Sequence, residues 1–91
     1  VPGNVIGIVA SETVVGTWYK ESDPEYYGLV FYNDGTCDAT FEGEVYVSGP
    51  YTFSKITGEG AVDFLGEEAP FTVDGDTLTF DSDETVYIRE S

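Results

Sequence analysis

Histidine, methionine and glutamine are missing from this 91-residue chain, and cysteine and tryptophan occur once each. Without histidine no Ser-His-Asp or Cys-His arrangement can form, and the common zinc clusters are excluded. A single cysteine, Cys37, rules out an intrachain disulfide. It lies between Thr36 and Asp38, among acids that oppose a thiolate, and reads as a small, semi-buried strand residue. Leucine occurs only at positions 29, 65 and 78, too sparsely for an apolar helix stripe. No apolar run approaches the roughly 20 residues of a membrane-spanning helix. Residues 5–10 are apolar but short, with no basic segment before them, which does not make an intact signal peptide. A chain starting at Val1 is expected to be a mature or excised segment.

Positive charge is the other scarcity. Lys20, Lys55 and Arg89 face 18 acids, a formal net charge of −15. Such a surface repels phosphate, so neither nucleic acid nor an anionic membrane is an expected partner. Three readings of the acidity stand. It keeps an aromatic-rich sheet in solution, the leading one; it suits a salt-rich setting; or it steers a cationic partner, Ca²⁺ included.

Seven Tyr, six Phe and one Trp supply much of the apolar surface of a domain this small. Residues 1–13 read as a lead-in or a first strand at 5–10, and residues 14–91 as the domain proper. Val14 to Lys20 reads as a strand with Trp18 facing the core and Gly16 leaving room beside it. Pro24 breaks the acidic link from Glu21 to Glu25. Tyr26 to Tyr32 is the strongest strand, with Tyr27, Leu29 and Phe31 on one face. Asn33-Asp34-Gly35-Thr36 and Asp74-Gly75-Asp76 are hairpin turns, because glycine accepts the positive φ of a tight reversal. Cys37 to Phe41 alternates as a half-buried strand. Val45 and Val47 alternate with Tyr46, and Ser48-Gly49-Pro50 is expected to end that strand. Tyr51 and Phe53 share a face in a strand continued by Lys55-Ile56-Thr57. Short strands follow at 61–65, 71–73, 77–80 and 85–89, the last with Val86 and Ile88 inward. No window shows a helical period. The pattern predicts an all-β antiparallel meander of seven to nine short strands closing into a small barrel, with a compact β-sandwich as the alternative. Trp18, Leu29, Phe31, Phe53 and Phe80 are the expected structural core.

Catalytic motifs are absent, and the chain reads as non-enzymatic with no cofactor. Two weak sites remain. Asp81, Asp83 and Glu84 place oxygen ligands in one turn, as Ca²⁺ prefers, without the length or spacing of an EF-hand loop. Tyr26, Tyr32, Tyr46 and Tyr51 form a ligand, protein or glycan platform if they share an outward face; solvated tyrosines covering the sheet are the alternative.

Gly16-Thr17-Trp18, then Leu29 to Thr36 with its Asn-Asp-Gly-Thr turn, then Tyr51-Thr52-Phe53, then Asp74 to Phe80 resemble, in that order, the small lipocalin-like domains of bacterial secreted or lipid-anchored proteins. The resemblance covers roughly residues 14 to 90. It implies a lipocalin-like barrel with Trp18 closing one end. It implies an extracellular or cell-envelope setting, often within a larger surface protein or lipoprotein, and no catalytic residues. The chain is about half as long as true lipocalins, which argues against ligand transport. A binding or structural module is therefore the leading expectation. A small hydrophobic-ligand binder and a calcium-stabilised surface or adhesion module are the alternatives.

Overall fold

The computed structural model describes residues 14–90. The strand read at 5–10 lies outside them. Eight strands run in chain order: β1 Gly16–Lys20, β2 Tyr27–Phe31, β3 Thr36–Phe41, β4 Glu44–Ser54, β5 Glu59–Phe64, β6 Glu67–Asp74, β7 Thr77–Phe80 and β8 Val86–Arg89. Each pairs antiparallel with its neighbour, and β1 also pairs with β8, which closes the barrel. The expected all-β meander is therefore realised as a barrel, and the described residues have no free sheet edge.

Alternation decides which side chains fill it. Gly16, Trp18 and Lys20 point inward from β1. Leu29 and Phe31 of β2 are buried beside Cys37 and Ala39 of β3, Val62 of β5, Phe71 and Val73 of β6 and Leu78 of β7. Phe71 is the hub of the rings: centroids of Phe31, Phe53 and Phe80 lie 5.5, 6.3 and 6.0 Å from its own. Of the expected core, Trp18, Leu29 and Phe31 are buried, while Phe53 and Phe80 are half-buried and pack against it. Phe71 completes the set.

Three strand expectations are corrected. β4 does not stop at Ser48-Gly49-Pro50 but runs on to Ser54, changing partners there. Its first part pairs with β3 as far as Pro50, and Tyr51 to Ser54 pair with β5. A side chain at Gly49 would collide with the backbone carbonyl of Asp63, so the glycine permits a corner, not an end. Lys55-Ile56-Thr57 is the β4–β5 turn, with Ile56 90% exposed. In β8 the parity is reversed. Tyr87 pairs with buried Leu78 and so faces inward, while Val86 and Ile88 pair with Thr79 and Thr77 and face out. A register irregularity between Ala39 and Thr40 also interrupts the alternation of Val45, Tyr46 and Val47, leaving Val45 and Tyr46 exposed.

Candidate functional site: the open mouth of the barrel

The two ends of the barrel are built differently. At one end lie the start of β1, the Asn33–Gly35 turn, the β4–β5 turn, the Gly75-Asp76 turn and the end of β8. Trp18 fills this end. Its indole N–H donates to the Val14 carbonyl at 3.0 Å, and the Arg89 guanidinium lies over its ring at 4.3 Å. Arg89 also donates to the Val15 carbonyl and to Asp76. Gly16 beside it has φ 136°, so the glycine serves a backbone angle that side chains disfavour. A Cβ there would meet only Arg89 Nη1, at an ordinary 3.8 Å, so lateral room is not what it supplies. Trp18 is thus buried and held from both sides at this end.

The other end is open. There a cup of about 380 Å³ is lined by Lys20, Tyr27, Leu29, Ala39, Tyr46, Phe64, Ala69, Phe80, Ser82, Asp83, Thr85 and Tyr87. All eight strands contribute, with the β7–β8 turn. Ala39 and Ala69 put small side chains in its lining, beside the rings of Tyr27, Phe64, Phe80 and Tyr87. Phe80 and Tyr87 meet edge to face at 5.6 Å. Burial pushes the Tyr87 phenol up to about 12, so it stays protonated at neutral pH. The Lys20 ammonium sits over the Tyr27 ring, 4.8 Å from its centroid. Asp83 is tied down at the rim, where hydrogen bonds from Thr85 hold its carboxyl below the usual range.

The four tyrosines do not form one platform. Tyr46 alone lines the cup. Tyr26 stands at the same end on the outer wall, stacked on Phe41 at 6.1 Å, beside a smaller groove of about 260 Å³ that Gly28 also lines. Tyr32 and Tyr51 lie at the closed end. The Tyr51 hydroxyl donates to the Tyr32 carbonyl at 2.8 Å, and its ring packs edge-on against Phe31. Tyr51 is therefore a structural residue, because its strand position points it inward. The Tyr32 hydroxyl donates to Asp38 at 2.8 Å.

The turn acids do not converge either. Asp81 accepts from the Thr72 hydroxyl at 3.3 Å, Asp83 accepts from the Thr85 amide at 3.1 Å, and Glu84 is exposed at φ 60°. No group of three or more acids, Cys or His able to hold a metal occurs among the described residues. Cys37 is fully buried, and desolvation pushes its thiol up to about 12, against nucleophilic use.

Sequence reasoning did not bring Tyr27, Phe64, Ala69 and Tyr87 together: Tyr27 and Phe64 read as strand faces, and Tyr87 as outward beside inward Val86 and Ile88. Their one shared signal is inward parity near the end of a strand at the mouth. Compared with known proteins, the chain matches no family model, no curated protein and no solved structure.

Proposed function

We propose that this protein is a non-catalytic binding domain that takes a small, largely apolar ligand in the open mouth of its barrel. The observation that carries this reading is the cup of about 380 Å³, lined by aromatic rings and by the small side chains of Ala39 and Ala69. That volume falls at the lower end of the range of small-molecule sites. A purely structural barrel of this size gains nothing from such a space, because filling it would add buried apolar area at about 25 cal/mol per Å². The resemblance to small lipocalin-like domains supports an extracellular or cell-envelope setting, within a larger surface protein or lipoprotein. The acidic surface then offsets the exposed aromatic rings.

The test uses the neutral fluorescent probe N-phenyl-naphthylamine with the wild type and with Ala69→Leu, which fills the cup. Wild type is expected to enhance and saturate the fluorescence, and Ala69→Leu to lose most of that signal with unchanged circular dichroism. Equal probe binding by the two proteins refutes a site in the cup.

A further inference from the structure

We propose that the ligand of the cup is a small organic cation, an alkyl- or arylalkyl-ammonium ion, held against the aromatic rings of the mouth. This rests on the cup reading above and adds the charge class.

Four observations lead to it. First, Tyr27, Tyr46, Phe64, Phe80 and Tyr87 ring the cup, contributed by five strands. Aromatic faces attract ammonium groups, and most strongly where water is excluded. Second, one ring already does so: the Lys20 ammonium lies over Tyr27. That geometry is an intramolecular version of the proposed complex. Third, the chain carries −15 net charge, and a low-dielectric cleft in such a body concentrates cations and repels anions. Fourth, the charged groups that line the cup are few. Lys20 comes from β1 and Asp83 from the β7–β8 turn; the remaining polar lining is Ser82, Thr85 and three phenols. Asp83 is fixed by Thr85, whereas Lys20 sits on a flexible four-carbon stem. The other bases lie at the far end, Lys55 in the β4–β5 turn and Arg89 over Trp18. Lys20 therefore acts as a displaceable occupant of the aromatic wall.

An anion-binding cup would instead use Lys20 as its counter-ion, so removing Lys20 has opposite consequences under the two charge classes. The experiment titrates three ligands of one shape, followed by amide chemical shifts. They are choline, its neutral isostere with a tert-butyl group in place of trimethylammonium, and the carboxylate anion tert-butylacetate (3,3-dimethylbutanoate). Each is run on wild type, Lys20→Met and Ala69→Leu, all checked for native circular dichroism. Choline is expected to bind at least about tenfold tighter than the neutral isostere and tert-butylacetate to bind weakest. Lys20→Met should strengthen choline binding several-fold, Ala69→Leu should abolish it, and added salt should weaken it. Equal affinity for choline and the isostere overturns the cation class. So does weaker choline binding in Lys20→Met, or tert-butylacetate binding tightest. Choline affinity retained in Ala69→Leu overturns the location. If N-phenyl-naphthylamine binds the cup and choline does not, the cation class falls while the cup reading stands. If neither binds, both fall.

Discussion

The closed and open ends of this barrel share eight strands but follow opposite rules. At the closed end the largest side chain, Trp18, is fully buried, hydrogen-bonded through its one polar atom and capped by a guanidinium. Among the described residues every positive φ at that end belongs to glycine: Gly16 in β1, and Gly35, Gly58 and Gly75 in the turns. At the open end the interior is left unfilled, and among the described residues the three non-glycine positions at positive φ, Glu42, Leu65 and Glu84, all lie in its turns. Exposed Tyr26, Phe41, Val45, Tyr46 and Leu65 also gather there. Local rules are obeyed where the barrel is sealed and relaxed where it opens. Concessions of this kind gather at functional sites, where other constraints override local preference.

The largest expected effect breaks the closed end alone. Trp18→Ala removes the plug, and truncating a buried aromatic costs about 3–5 kcal/mol. For a domain this small that is most of the available stability. Urea unfolding is expected to show a collapsed midpoint or no folded baseline. Ala69→Leu at the open end should shift stability by less than about 1 kcal/mol, because its side chain enters space that is already there. Comparable losses from both variants would mean that the two ends are one continuous core.

Much of this division was legible beforehand and part was not, for identifiable reasons. The alternation of Tyr27, Leu29 and Phe31 marked a buried face, and the Asp-Gly turns marked hairpins. The sequential hairpins favoured a closed barrel, and only the resemblance of the ordered Gly-Thr-Trp and Asp-Gly-Asp segments to lipocalin-like domains suggested Trp18 at one end. The β4 corner was not legible, since Gly49-Pro50 reads as a terminator until the Asp63 carbonyl is seen pressing on it. The parity of β8 was equally hidden, because Val86, Tyr87 and Ile88 are all apolar and alternation cannot choose between them. The cup was least legible of all. An empty space is made by what is small, Ala39 and Ala69, and by what stands across the barrel from it. Neither is a property of any local stretch.

The second prediction probes the closed half through Cys37, which is fully buried beside Phe31, its cross-strand partner. Burial pushes its thiol up to about 12, from 9.0 when free. Between those values the unfolded chain gives up the proton and the folded chain keeps it. The contribution is therefore fully present below pH 9.0 and is lost as pH rises towards 12. Across the whole window the loss is roughly 4 kcal/mol at 1.36 kcal/mol per unit. Tyr87, raised from 10.0 to about 12, acts in the same direction from the upper part of the interior. Denaturant melts of wild type and Cys37→Ala are expected to differ most at neutral pH and to converge above pH 9. Parallel curves from neutral to alkaline pH would show that burial of Cys37 is not what raises the thiol.

Arg89→Met comes next. It keeps an apolar stem over Trp18 but removes the cation and its bonds to Val15 and Asp76. A loss of about 1–2 kcal/mol is expected, with the probe affinity of the cup unchanged. A fall in cup binding with no loss of stability would show that the cap acts on the mouth and not on the plug.

The smallest effect has the opposite sign and belongs to the open end. Leu65 and Gly66 form the two-residue β5–β6 turn, with φ 57° and 85°. Asn-Gly is the favoured pair when both turn residues are left-handed, and leucine is poorly suited to the first place. Leu65 is also 89% exposed, so no packing against the barrel offsets the strain. Leu65→Asn should therefore raise stability by about 0.5–1 kcal/mol, read as an upward shift in melting temperature. At the closed end Gly35→Ala, where φ is 93°, should lower stability although nothing lies within contact of the added methyl group. The pair tests the contrast directly, since both sites are sterically open and only the backbone angle is at issue. Leucine at this turn would then stand at a cost to folding. A Leu65→Asn protein that is more stable and binds N-phenyl-naphthylamine less well would place a use for Leu65 in the cup. One that is more stable and binds equally well would assign Leu65 to a contact outside it.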